Sequence, residues 1–278
     1  MYLPIAYMIV FSFNQSKGYS LFTGFTLKWY SSLLHNSSIL HALLVSLEVA
    51  LLSAVIATVL GTAASLGIAS MGRKSRLVVT NITYIPVVNP EIITGISLML
   101  LFVAYQRFAT QSAWLPDNIM GLPTLLIAHI AFNVPYVIFN VSPKLKQLDI
   151  KLYEAALDLG ASPVKAFFKV VFPDIVPGVL SGFMLAFTMS LDDFVITHFT
   201  KGPGIDTLST KIYTEVRKGI KPEIYALSTI MFVTVLVLLL LINYSPKEEE
   251  ETVVRKKKVR KLSLIHISEP TRPISISY

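Results

Sequence analysis

EAALDLGASPVKAFFKVVFP, residues 154–173, decides how the rest of the chain is read. It is polar and helix-prone, carries a glycine near its centre, and lies between long apolar segments. On a helix, Leu152, Ala155, Ala156 and Leu159 share one face, while Lys151, Glu154 and Asp158 share the other. Gly160 supplies the left-handed conformation that stops a helix. Ser162 then caps a fresh N-terminus, with Pro163 in its first turn. A second short helix, VKAFFKVV, follows until Pro173 halts it. The product is an elbow of two helices, or, on pattern alone, a helix pair lying flat on lipid headgroups.

Working outward, the flanking segments set the class. Hydrophobic residues make up 53% of the 278 and charged residues 15%, against about 25% charged in a soluble domain. Apolar runs of about 20 residues, enough to cross a bilayer, recur along the chain. The expected fold is all-α, a polytopic transmembrane helix bundle of about six helices forming one membrane domain over 1–243. YLPIAYMIVFSF (2–13) is too short for a span and lacks signal-peptide features. It reads as the outer half of a first helix that is truncated here. The second span, 41–70, is rich in Ala, Gly, Ser and Thr, which lets helices approach closely. The third, about 78–105, is interrupted by Pro86 and Pro90, tolerated only where protein or a water-filled cavity surrounds the freed backbone. The fourth covers about 121–142 and the fifth about 176–199, ending in SLDDFVITHF. A loop at 200–222 carries GPG, and the sixth span covers about 223–243.

The net charge is +7, of which residues 244–278 carry +3 through eight Lys/Arg and five Asp/Glu. The basic connections at 71–77 and 143–175 and the tail at 255–261 fall on one side of six crossings, placing both termini in the cytoplasm. The outer loop at 200–222, with five Lys/Arg and two Asp/Glu, runs against the rule, and three basic segments outvote one. Residues 244–278 read as a disordered charged tail. Within it LSLIHISEPTRPISISY (262–278) resembles a translated sequencing-adaptor sequence and is set aside as non-native. No basic stripe interleaved with aromatics points to nucleic acid. No cysteine provides a disulfide or a thiolate. The five histidines (35, 41, 129, 198, 266) lack metal-ligand spacing and read as structural; His198, at the outer end of the fifth span, could also touch solute.

Carboxylates at membrane depth are costly, roughly 2.5–3.5 kcal/mol at a helix centre on insertion scales, so they face a cavity or a partner. Glu91 follows the proline-broken part of the third span, and Asp192 and Asp193 close the fifth. These three are the candidate translocation path. As neighbours about 100° apart on a helix, the two aspartates cannot both point down one channel, so one lines the path while the other bonds a neighbouring helix. The alternative is that these acids cap broken helices or pair with cations of a partner subunit. Glu48, on a small-residue face, reads as a packing or subunit contact. An acidic path suits a cationic solute and repels an anion.

Glu154-Ala155-Ala156, three residues, Gly160, nine residues, then Val170-x-Phe172-Pro173 resembles the EAA loop of ABC importer permeases. That motif ends Ile-x-Leu-Pro, so Val170 and Phe172 are apolar replacements. The resemblance implies that the loop is a coupling helix docking into an ATP-binding subunit. Glu154 would meet a basic partner and the two alanines would pack closely. Asp158, Gly160 and Pro173 would shape the docking surface and its bend. Because the chain has no GxxxxGK[ST] phosphate loop, it is a non-catalytic subunit that binds no cofactor itself, and ATP-Mg belongs to the partner.

FSFNQS (11–16), GFTLKWY (24–30), NPEIITGISLMLLF (89–102) and SLDDFVITHFTKGPGIDTLSTKIY (190–213) are similar to spermidine/putrescine importer permeases of the PotC type. That family implies two ATP-binding subunits, a second homologous permease and an extracytoplasmic polyamine-binding protein, in a bacterial inner membrane and in contact with lipid. Iron or thiamine is an alternative cargo; sulfate or phosphonate would want basic residues at the midplane. An ATP-independent secondary transporter or channel would need no elbow, and a scaffold protein would leave the buried acids unexplained.

Overall fold

Asn36 begins the frame by accepting from the backbone N–H groups of Ser38 and Ile39 at 3.2 and 3.4 Å. It caps α3 (Ser37–Ser70) in a protein that, in this computed structural model, is described over residues 3–16, 21–110, 119–219 and 221–244. The buried face of α3 repeats at helical spacing through Ala50, Ser53, Ala54, Ala57, Gly61 and Ser65. Against it pack α6 (Leu122–Gln147) and α9 (Phe172–Asp192), and the three helices enclose Ala54, Ala57, Val137, Val141 and Ala186. Lipid offers no hydrophobic gain for bringing two apolar helices together, so close van der Waals contact has to hold them. Gly61 shows how close: a Cβ there would stand 2.7 Å from Val137 Cβ and Cγ1 and 3.2 Å from the Val134 carbonyl.

A second group forms at one side. α12 (Pro222–Tyr244) packs on α1 (Leu3–Phe11) and α2 (Lys28–His35), and Ser32 donates to Glu223 at 2.7 Å. Asn14, the asparagine of FSFNQS, donates to the Leu21 carbonyl and accepts from Thr23 N–H, both at 2.9 Å. Trp29 Nε1 donates to the Asn14 carbonyl at 2.7 Å, so the two similar motifs brace one another. α11 (Leu208–Lys218) is joined to α12 through Glu215, to which Lys221 and Lys218 donate at 3.1 and 3.5 Å. Those cations hold the Glu215 carboxyl below its ordinary range.

Four described helical segments are long and apolar enough to cross a membrane: Ser37–Ser70, Glu91–Ala109, Leu122–Gln147 and Pro163–Asp192. The all-α bundle is therefore as expected, and two spans and a loop need correction. The third is not one interrupted helix but two, α4 (Arg73–Val88) and α5 (Glu91–Ala109). Pro86 rides inside α4, whereas Pro90 forces Asn89 to ψ 135° and ends the helix. At 16 residues, α4 is about 24 Å long and cannot cross alone. The fifth span ends at Asp192, and Asp193 and Phe194 separate it from a short helix, α10 (Val195–Thr200). Its other end runs back to Pro163, because Pro173 does not stop the chain. α8 (Pro163–Ala166) passes into a π-turn, Phe167–Val171, in which Phe172 N–H bonds the Phe167 carbonyl five residues back. The widened turn makes room for a ring with no N–H, and Pro173 falls in the first turn of α9. The outer loop, lastly, contains α11. The tail expected at 244–278 lies, apart from Tyr244, outside the described residues.

Gly61→Ala is expected to cost about 1–3 kcal/mol by overpacking. Gly67→Ala, on the same helix with open space around it, should gain about 0.5–1 kcal/mol. Thermal unfolding of the two variants in detergent checks the pair, and equal melting temperatures would refute the close α3–α6 contact.

Candidate functional site

Two regions carry the sequence-predicted residues, and both start from helix ends. The first is the elbow. α7 (Ile150–Asp158) opens with Asp149 accepting from Lys151 N–H at 3.1 Å. It closes on Gly160 at φ +83°, where Gly160 N–H bonds Leu157 and Ala161 N–H bonds Ala156, at 2.9 and 3.1 Å. This paired arrangement satisfies the last carbonyls of α7 and turns the chain sharply. Ser162 then accepts from Lys165 N–H and starts α8. Within the chain, α7 packs on α8 and the π-turn behind it, and none of its residues is buried. Glu154, Ala155, Asp158 and Gly160 are exposed, Ala156 is half-buried, and Pro173 is exposed at the start of α9. Leu159 is 89% exposed and Val164 67%, apolar area that the chain itself leaves uncovered.

The second region is the break between α9 and α10. Breaking a helix frees backbone N–H groups that lipid cannot satisfy. Asp193 answers that demand: its Oδ1 accepts from Ile196 N–H at 3.2 Å and its Oδ2 from Thr197 N–H at 2.7 Å. The residue is buried, His129 Nε2 stands 3.6 Å from Oδ2, and Ser209 of α11 donates to the Asp193 carbonyl at 2.7 Å. Around it runs a continuous buried network. His129 is within hydrogen-bond distance of Ser190 and Thr197 through its two ring nitrogens, at 3.1 and 3.0 Å. Asn133 donates to Ser190 at 2.7 Å, and Ser190 meets Ser53 of α3 at 3.0 Å. One polar cluster thus pins α3, α6, α9, α10 and α11 at a single level.

The three expected path acids therefore divide. Asp193 is turned inward and its carboxylate is occupied as a helix cap. Asp192 is exposed at the last position of α9, and Glu91 is exposed in the first turn of α5. The two come together because α5 lies on α10: a Cβ on Gly95 would stand 3.0 Å from the Phe199 ring and 3.5 Å from the Val195 carbonyl. Glu91 is within electrostatic reach of both aspartates, and Tyr136 of α6 within reach of Glu91. Beside them Phe194, His198 and Tyr213 form an aromatic group, with centroids of Phe194 and Tyr213 4.6 Å apart. Glu48 is exposed on the outer face of α3 among leucines.

Sequence reading passed over Ser53, Asn133, Ser190 and Thr197, whereas its reading of His129 as structural agrees with the ring's place in this network. The signal was present, since 129 and 133 are one turn apart, and 190, 193 and 197 share a face. Among the described residues no group of three His, Asp or Glu is placed to hold a metal.

The helix frame is that of ABC importer permeases. It matches a bacterial ABC transporter involved in the import of the acidic polysaccharide alginate with a TM-score of 0.70, 18% identity and 88% of each chain covered. An amino acid ABC transporter with histidines matches at 0.54, with 18% identity, over 78% of this chain and 97% of that one. At such identity the likeness is one of fold. In sequence, residues 57–245 match the family of binding-protein-dependent transport system inner membrane components. The putrescine transport system permease protein PotI of Escherichia coli (strain K12) is 40% identical over 84% of this chain and 82% of its own length. The spermidine/putrescine transport system permease protein PotC of the same organism is 37% identical over 86% of each. The PotC of Haemophilus influenzae is 32% identical over 86% of this chain and 88% of its own. The chain belongs to the binding-protein-dependent transport system inner membrane component family.

Asp193→Ala removes both cap bonds of α10 and should cost about 1–3 kcal/mol, whereas Asp192→Ala should stay within about 0.5 kcal/mol of the parent. Thermal melts of the two variants measured together give the comparison. A reversed order would move the structural role to Asp192.

Proposed function

We propose that this chain is the permease subunit of an ATP-driven importer that carries polyamines, spermidine or putrescine, into the cytoplasm. The observation that carries the cargo is that two exposed carboxylates, Asp192 and Glu91, stand within electrostatic reach of one another at a break in the helices of the bundle. A polyamine is a flexible chain with ammonium groups at intervals, and such a path offers it charge on one side and the faces of Phe194 and Tyr213 on another. The identities of 40% and 37% to putrescine and spermidine/putrescine permeases support the same cargo.

Coupling falls to Glu154, Ala155, Ala156, Asp158, Gly160 and Pro173. The elbow would seat in a groove of a separate ATP-binding subunit that holds ATP-Mg, two such subunits serving this permease and a second, homologous one. An extracytoplasmic binding protein would deliver the polyamine. The elbow then faces the cytoplasm, as do both termini, in a bacterial inner membrane. The exposed, rigidly capped α7 and the uncovered side chains of Leu159 and Val164 support the docking.

Uptake of radiolabelled spermidine and of putrescine by proteoliposomes holding both permeases and the ATPase, with binding protein outside and ATP inside, tests the reading. Glu154→Ala should lower ATP-driven uptake by about tenfold or more, as removing one member of an interfacial charge pair does, without changing insertion. Asp192→Asn should lower uptake by a similar factor while leaving polyamine-stimulated ATP hydrolysis measurable. Uptake indifferent to ATP would sink the importer, and uptake of neither polyamine would sink the cargo.

A further inference from the structure

At the end of the bundle marked by the basic turn, a cavity of about 250 Å³ opens between α3, α4 and α6. Arg76 of α4 and Lys146 of α6 stand at it, and Thr80 and Ser142 add hydroxyls that make no other hydrogen bond among the described residues. Ile68, Ile138 and Phe139 give it an apolar wall, and no carboxylate lines it. Arg76 is held in place by its own donors: Nε and Nη2 bond the carbonyls of Ile68, Ala69 and Met71, the open end of α3. That fixes a guanidinium whose charge no acid offsets. Arg73, Lys74 and Lys144 add three further cations at this end, and none of the five forms a salt bridge among the described residues.

The outer flank settles what kind of anion fits. No residue of α4 is buried, and Leu77, Val78, Ile82, Ile85 and Val88 are each more than half exposed. A soluble anion would satisfy the cations and leave this apolar helix bare. A zwitterionic headgroup would bring an ammonium against two cations. We propose that the cavity binds the headgroup of an anionic phospholipid, its phosphate on Arg76 and Lys146 and its acyl chains along α4. Basic pockets between helices at a membrane surface are suited to this. The proposal rests on the membrane setting of the proposed function, not on its cargo or on ATP coupling.

The test uses the assembled transporter in mild detergent, with native mass spectrometry counting retained lipid. The probes are phosphatidylglycerol and phosphatidylcholine of identical acyl chains. The parent should retain phosphatidylglycerol preferentially. Lys146→Gln, a change at an exposed position, should reduce that retention about fivefold, and Thr80→Val with Ser142→Ala should reduce it further. Millimolar inorganic phosphate should fail to displace the lipid. Equal retention of the two lipids, full displacement by phosphate, or retention unchanged in Lys146→Gln would each overturn the assignment. A Lys146→Gln variant that loses the second permease with lipid retention intact would assign the cavity to that subunit and overturn it too. Polyamine uptake is read separately, so failure here leaves the transport reading standing.

Discussion

A helix broken inside a membrane leaves backbone donors that only the protein can satisfy, and in this bundle one carboxylate does so. Asp193 accepts from two N–H groups of α10 and, through Thr197, joins a hydrogen-bonded cluster of His129, Ser190, Asn133 and Ser53. Those contacts fix the angle at which α10 leaves α9. That angle in turn sets where α5 lies, since Gly95 allows α5 to rest on Val195 and Phe199. The exposure of Glu91 beside Asp192 follows from both. The two exposed acids are thus placed by a buried one.

The first helix of the elbow and its bend at Gly160 were legible in the sequence, because their signals are local. A glycine at positive φ, a serine before a proline and the cap of α7 by Asp149 are decided within one or two turns. The break at Asp192–Phe194 was legible only as a pair of neighbouring acids of which one had to turn away. Which one turned depended on Thr197, Ser190 and His129, the last from a helix some sixty positions earlier in the sequence. Periodicity places a polar residue on a face but does not say what stands opposite. Pro173 misled for a similar reason: proline's missing donor ends a helix unless the preceding turn widens, and the π-turn that widens it leaves no mark in the pattern of apolar residues.

Fold and cargo come from different parts of the molecule. A frame with a TM-score of 0.70 to this one belongs to a transporter of an acidic polysaccharide, whose charge is opposite to a polyamine's. The α3–α6–α9 packing therefore cannot encode the solute, and function has to be read from the side chains placed on it. Under the proposed function those are Glu91 and Asp192, with Phe194 and Tyr213 nearby.

The correction at Pro173 bears on how motion would reach that level. Had the helix stopped there, elbow and path would be joined by a hinge, and movement of α7 would be lost in it. Instead helix runs without interruption from Pro163 to Asp192, 30 residues, a rod of about 45 Å. One end abuts the elbow through α8 and the π-turn, and the other ends at the exposed aspartate. Gly178 lets this rod lie directly against α6, where a Cβ would stand 2.8 Å from the Asn140 carbonyl. Under the proposed function, a displacement imposed on the elbow by an ATP-binding subunit would arrive at Asp192 as a displacement of the same helix. The network around Ser190 and Asp193 would then be what the far end works against, because it joins that rod to α3, α6, α10 and α11 at the point where the solute would pass.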